Sequence, residues 1–226
     1  MPRLDVWLVE TGQFSSRQTA KRAIKDGLVI VNGGKYKPSK QVSEKDIIEV
    51  LSLDADFPLG FNKLKEIDEK LDKILVRFPC LALDIGSSAG GFLVYLAKKG
   101  ANVVGIEVSK RFTEDLHALV EEYPLISVII ADAFELDPTI IINPGNLDVL
   151  LVDVTTEPEG TLKLIEKFTI LLKKEGRMIA AFKSNHDDVE TIDTLKKTIS
   201  QMGYEKIQEI CLDKALQEIH IVALRT

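Results

Sequence analysis

From residue 80 onward, short apolar runs alternate with helical stripes, and this alternation limits the possible folds more than any other feature. Strand candidates occupy 80–84, 102–106, 126–130, 147–152, 177–182, 204–211 and 217–224. Helix candidates lie among them at 89–99, 110–122, 158–173 and 187–202. Apolar strands interleaved with helices predict an α/β domain whose parallel sheet is covered on both faces. The last two strands have no helical pattern between them, and their link near Asp213-Lys214 is short enough for an antiparallel hairpin. Upstream, Leu64, Ile67, Leu71, Ile74 and Leu75 form a stripe that predicts a helix within 62–78.

Residues 1–50 follow a different pattern. Leu4, Trp7 and Leu8 have helical spacing, and Ser15 stands three residues before Gln18 as a capping-box pair. The helix that follows reaches Asp26 and stops at Gly27. On it Arg17, Lys21 and Lys25 share one face, with Arg22 beside them, while Ala20 and Ile24 pack inward. A short strand at 28–31, the turn Asn32-Gly33-Gly34 and a strand region at 41–51 complete a small α+β module.

Charge separates the two parts. The 226-residue chain is −6 overall, which argues against a nucleic-acid partner when taken as a single sum. Split at residue 50, the front carries nine Lys/Arg against six Asp/Glu and is +3, while the remainder is −9. A basic module joined to an acidic one reopens the question of a polyanionic partner.

Several classes are set aside. No apolar run reaches the roughly 18 residues of a membrane span, and the N-terminus lacks the apolar core of a secretion signal. Cys80 and Cys211 are far apart, and His117, His186 and His220 have no ligand spacing, so no metal site is expected. The expectation is a cytoplasmic protein without a membrane partner, of undetermined oligomeric state.

A further local signal, which a plain tight turn would also produce, is Leu83-Asp84-Ile85-Gly86-Ser87-Ser88-Ala89-Gly90-Gly91-Phe92. A glycine-rich turn from a strand into a helix lets a ligand approach the backbone, at the strand end where open sheets bind ligands. The Gly-x-x-x-Gly-Gly spacing differs from the dinucleotide pattern, and Ser88 stands where a pyrophosphate needs close access. An adenosine cofactor without a pyrophosphate fits better. Glu107 ends the next strand, where a carboxylate can accept both ribose hydroxyls. Asp132 follows the third strand and can accept from an adenine amino group.

These residues carry resemblances. Residues 80–134 resemble the S-adenosylmethionine site of class I methyltransferases, which implies a Rossmann-like seven-stranded sheet with the last strand antiparallel. The implied cofactor set is Asp84, Gly86, Ser87, Gly90, Gly91, Phe92, Glu107, Val108, Asp132, Ala133 and Asp153, and the implied product is S-adenosylhomocysteine. Ser16-Arg17, Ala20, Arg22, Ile24, Gly27, Val29 and Val31-Asn32-Gly33 resemble the RNA-binding domain first named in ribosomal small-subunit protein four. That likeness implies an RNA surface built from Arg3, Arg17, Lys21, Arg22 and Lys25. The segments 61–70, 147–153, 178–183 and 218–222 resemble the FtsJ-type RNA ribose methyltransferases. They imply a catalytic tetrad of Lys63, Asp153, Lys183 and Glu218. In that scheme Lys183 is the base, Lys63 the neighbouring cation that positions the hydroxyl, Asp153 orients Lys183, and Glu218 orients Lys63 or the ribose. A lysine serves as base when desolvation or a nearby cation favours its neutral form.

An RNA-binding module at 1–52, a connector at 53–60 and an FtsJ-like domain at 61–226 together resemble the TlyA family. Its members bear the name hemolysin and methylate ribosomal RNA riboses. The resemblance implies a ribosomal RNA or ribosomal subunit as partner. The segment Phe57-Pro58-Leu59-Gly60 and the segment Asn185-His186-Asp187-Asp188 depart from the family's pattern. The alternative is an RNA-binding or ribosome-assembly factor that keeps the fold without the chemistry.

Overall fold

A computed structural model describes residues 1–14, 16–51, 57–58, 60–183, 188–212 and 218–226. The chain divides into two compact units, Met1–Asn62 and Lys63–Thr226. Residues 53–56 and 59 of the expected connector, and Ser52 before it, lie outside the described residues.

In the first unit, α1 (Leu4–Glu10) and α2 (Arg17–Lys25) precede β1 (Val29–Val31) and β2 (Ile48–Val50), which pair antiparallel. Leu4, Leu8, Phe14, Ala20, Ala23, Ile24, Val29, Val31 and Val42 form its core. The cap of α2 is Ser16, not the Ser15–Gln18 pair; Ser15 itself lies outside the described residues. Ser16 Oγ accepts from the Thr19 amide and Thr19 Oγ1 accepts from the Ser16 amide, each at 3.2 Å, so both donors are satisfied reciprocally.

The second unit is a seven-stranded sheet. Its elements run α3 (Phe61–Lys70, whose first two residues belong to the first unit), β3 (Leu81–Ile85), α4 (Gly91–Lys98), β4 (Asn102–Glu107), α5 (Thr113–Glu122), β5 (Ile126–Ile130), β6 (Leu147–Val152), α6 (Pro158–Phe168), β7 (Leu172–Lys183), α7 (Val189–Gln201), β8 (Tyr204–Ile210) and β9 (Glu218–Arg225). The strand order is β5-β4-β3-β6-β7-β9-β8. Strands β3 to β7 pair in parallel, β8 shares their direction, and β9 alone runs the opposite way, antiparallel to both its neighbours. This is the class I sheet that the alternation and the terminal hairpin predicted. Leu150, Val152, Met178, Ala180 and Phe182 of the central strands pack with Leu164, Phe168, Leu195 and Ile199 of α6 and α7. Buried apolar area of this kind is the main stabilising term.

Two boundaries differ from expectation. The helix expected within 62–78 ends at Lys70. Asp68 is buried, accepts from the Leu75 amide at 2.9 Å and from the Tyr95 hydroxyl at 2.7 Å, and so draws the chain off the helical path. Asp72 and Lys73 then take left-handed backbone conformations. Strand β7 starts five residues before the expected 177 and includes the polar stretch Lys173-Lys174-Glu175-Gly176, which no apolar pattern marks.

Candidate active site

The sheet reverses direction of growth at β3, whose neighbours are β4 and β6. A crevice forms at such a switch point, at the carboxyl ends of the strands. There the Asp153 amide donates to the Ile85 carbonyl at 2.9 Å. Gly86 has φ +91°, and a Cβ on it would stand 2.2 Å from the Asp153 carbonyl oxygen. Only glycine permits the turn after β3 to pass so close to the turn after β6.

A cavity of about 510 Å³ opens here. Of the sequence-derived cofactor residues, Gly86, Glu107, Val108, Asp132, Ala133 and Asp153 line it. Asp84, Ser87, Gly90, Gly91 and Phe92 do not line it. Ser87 donates its hydroxyl to the Asp84 carbonyl at 3.0 Å, Gly90 is the left-handed cap of α4, and Phe92 is buried with its ring 6.0 Å from Lys63 Nζ. Ser87, Gly90 and Phe92 shape the turn and the start of α4 rather than the cavity wall. The sequence reading missed Ser88, Ser109, Arg111, Phe112, Phe134, Thr155 and Thr156, which also line it. Their signal was positional, since each lies within a few residues of the carboxyl end of a parallel strand.

Glu107 ties the loops together. It accepts from the Ser88 amide at 2.8 Å on one oxygen and from the Ser109 amide at 2.6 Å on the other. Each carboxylate oxygen keeps capacity for another hydrogen bond, as a ribose diol requires. Asp132 accepts from the Phe134 amide at 2.9 Å. Val108 is 64% exposed and Phe134 42%, so apolar surface suited to a planar base lines the same cavity.

Asp84 is fully buried, and neither carboxylate oxygen has a hydrogen-bond partner among the described residues. Burial pushes its carboxyl up to about 7, against the nearby Ser87 hydroxyl and with the help of Asp153 and Glu107. An uncompensated buried acid is costly unless a donor or cation reaches it. The ammonium of S-adenosylmethionine is such a group. This acid, the glycine turn and the Glu107 carboxylate fit that cofactor.

The four tetrad candidates come from four separate segments. Lys63, on α3, places Nζ 2.8 Å from Asp153 Oδ2 and 2.6 Å from Glu218 Oε1. Burial disfavours its charge, but Asp153 and Glu218 outweigh that cost and raise its pKa. Lys183 ends β7 directly opposite Glu218 in the β7–β9 ladder. It is exposed, and among the described residues it has no ion pair. The expectation that Asp153 orients Lys183 is therefore corrected: Asp153 holds Lys63. The reason is topological, because α3 carries Lys63 to the carboxyl end of β6. His220, buried on β9, lies with Nε2 3.2 Å from Glu218 Oε1, close enough for attraction though off the line of a hydrogen bond. His220 and then Lys63 pull the Glu218 carboxyl down to about 2 against its burial.

In the first unit, Asp5 is fully buried and collects three of the expected RNA contacts. It accepts from Arg3 Nε at 2.9 Å and from Arg17 Nη2 at 3.0 Å, with Lys21 Nζ at 3.9 Å. Burial opposes its charge, but both guanidiniums hold the carboxyl below its ordinary range. Arg3, Arg17, Lys21 and Lys25 retain exposed or half-exposed side chains. Arg22 is the exception and is corrected here. It is only 9% exposed, because it shares the inner side of α2 with Ala23 and Ile24.

Two family models match this chain. The S4 domain family matches residues 2–48, and the FtsJ-like methyltransferase family matches residues 60–207. The protein named rRNA methyltransferase YqxC of Bacillus subtilis (strain 168) is 37% identical over 110 residues, 44% of this chain and 35% of the relative. Hemolysin A of Brachyspira hyodysenteriae is 34% identical over 108 residues, 45% of this chain and 42% of the relative. The matched region thus spans well under half the length of either curated relative. A solved structure named as a hemolysin from Streptococcus thermophilus shares the fold, with a TM-score of 0.60 at 19% identity, over 100% of this chain and 88% of that one. Among the described residues no helix is long and apolar enough to cross a membrane. With an S4 domain in front and the family match covering most of the chain, this protein belongs to the FtsJ-like methyltransferase family.

Proposed function

We propose that the protein is an S-adenosylmethionine-dependent RNA ribose 2′-O-methyltransferase whose substrate is ribosomal RNA, held in part by the S4 module. The observation that carries the reading is Lys63, clamped by Asp153 and Glu218, with Lys183 across the ladder from Glu218. When bound, S-adenosylmethionine supplies an electrophilic methyl group. A ribose hydroxyl is a weak nucleophile, so the protein's part is to position it and take its proton. Two carboxylates keep Lys63 protonated, which suits it to hold the ribose oxygen and not to serve as base. Lys183 Nζ, in its neutral amine form, accepts the hydroxyl proton and becomes an ammonium. Asp153 reaches both the cofactor cavity and Lys63 and so aligns the two halves of the site. The names of the rRNA methyltransferase relative and of the S4 domain support RNA as the substrate.

Incubation with ribosomal RNA or isolated subunits and methyl-labelled cofactor, followed by mapping of the modified nucleotides, tests the reading. Label is expected on ribose 2′-oxygens. Label confined to bases would overturn it. Absence of cofactor binding in calorimetry would favour a ribosome-assembly factor instead.

The S4 module makes a separate prediction. Phosphate contacts release counterions, and each contributes about 0.7–0.9 to the slope of log affinity against log salt. Changing Arg17, Lys21 and Lys25 together to Gln should lower the slope of RNA binding by about two. Changing the buried Arg22 to Gln should leave the slope alone. A titration between low and moderate salt checks this, and an unchanged slope in the triple variant contradicts the assignment.

A further inference from the structure

The opposite end of the sheet carries a second cavity, of about 290 Å³. It lies where β6 and β7 begin and β9 ends, away from the carboxyl ends that hold the candidate active site. Five cations line it: Arg77, Lys173, Lys174, Arg177 and Lys206. Its two acids are Asp148 and Glu175. Asp148 is already engaged, accepting from the Leu81 amide at 2.8 Å and pairing with Lys173. This local excess of positive charge stands out, because residues 63–226 contain 20 Lys/Arg against 27 Asp/Glu.

Two strand irregularities build the cluster. In the β6–β7 ladder Leu147 faces Leu172, but Val149 faces Arg177, so three extra residues bulge from β7. Those residues include Lys173, Lys174 and Glu175, and Glu175 has φ +61°. A Cβ on Gly176 would stand 2.8 Å from the Lys173 carbonyl oxygen, so the bulge closes only with glycine there. In the β8–β9 ladder Glu205 faces Leu224, but Gln208 faces Val222, so β8 carries one extra residue. Lys206 lies in that bulge with φ +50°. Bulges re-aim side chains at the cost of ladder hydrogen bonds, and these two deliver lysines to one cavity. Beneath them Arg177 donates to the Ile74 carbonyl at 2.7 Å. Burial and the charge of Arg77 both push its guanidinium downward, which marks cations gathered without full neutralisation.

We propose that this cavity is a binding site for a phosphate group, separate from the methyl-transfer site and independent of the activity assigned above. Guanidinium and ammonium donors converging in one recess suit phosphate oxygens. The volume falls at or below the roughly 300–1,000 Å³ of most organic-ligand pockets, so one or two phosphates fit better than a whole nucleotide. The source is either an RNA backbone phosphate or a free phosphate compound.

The full chain is titrated calorimetrically with inorganic pyrophosphate at constant ionic strength, beside the double variant Arg77→Gln/Lys206→Gln. Both positions are exposed, and an unchanged melting curve verifies that the variant is folded. Lys174→Gln serves as a milder second variant. Saturable one-site binding is expected for the natural chain, weakened about tenfold in the double variant and about threefold in Lys174→Gln. Single-stranded RNA is titrated in parallel. A salt slope lower by about 1.4 in the double variant identifies an RNA phosphate as the ligand. An unchanged RNA slope, with pyrophosphate binding weakened, identifies a free phosphate compound. No saturable pyrophosphate binding by the natural chain, or equal affinity in all three proteins, overturns the proposal.

Discussion

Replacing Lys183 with Met should lower the single-turnover rate of methyl transfer by about a thousandfold while leaving cofactor affinity within about twofold. General-base catalysis is worth about 10²–10⁴ in rate, and a thousandfold corresponds to about 4 kcal/mol of barrier. Lys183 lies at the end of β7 and does not line the cofactor cavity, so binding there should be spared. Lys183→Arg separates base from cation. A guanidinium keeps the charge but cannot take up the hydroxyl proton, so this variant should be as slow as Lys183→Met. Substantial activity in Lys183→Arg would make the residue an electrostatic positioner. A residual rate within tenfold of the natural protein in Lys183→Met would exclude it as base. Lys63→Met should also be slow for a different reason, since it leaves Asp153 and Glu218 facing each other without their shared cation.

Gly86→Ala should damage both stability and cofactor binding. The left-handed backbone costs an alanine about 1–3 kcal/mol. The added Cβ meets the Asp153 carbonyl oxygen at 2.2 Å and Val154 Cγ1 at 3.0 Å, and overpacking adds about 1–3 kcal/mol more. The sheet unit should therefore melt about 5–15 °C lower. Relief of the clash must move the turn after β3 or the turn after β6, and both line the cofactor cavity. S-adenosylmethionine affinity should fall by at least about tenfold. Scanning calorimetry and cofactor titration check the two effects together. A variant with the natural melting temperature and affinity would show that the two turns do not need this close approach.

Much of the fold was legible in the linear pattern because each signal is local. Apolar runs such as Val149–Val152 mark strands buried on both faces, and Leu164, Ile165 and Phe168 mark the inward side of a helix. Acids at or just after strand ends pointed to the ligand-binding edge of the sheet, because every parallel strand delivers its following loop to the same edge. The reading was weaker wherever a polar residue left its local pattern. Asp68 sits within an apolar helical stripe, yet it ends the helix by capturing the Leu75 amide. Arg22 neighbours an exposed basic row, but the rotation of α2 against its core buries it. The start of β7 is polar because its bulged residues face a cavity and no apolar layer.

The sequence by itself determined the order of elements, the basic front and acidic remainder, and the chemical types available for a site. Those properties depend on residue type and on spacings of a few positions, which periodicity records directly. Only the tertiary structure decided which charges meet. Lys63 and Asp153 are 90 residues apart, and Lys63 and Glu218 are 155 apart. Their union depends on strand order, on the antiparallel return of β9 and on the helix that brings Lys63 to the sheet's carboxyl edge. The same holds for the cations around Arg177, which three separate chain segments and two bulges gather into one recess. Coulomb attraction and desolvation act over distances of a few ångströms in space, and no local spacing along the chain encodes those distances.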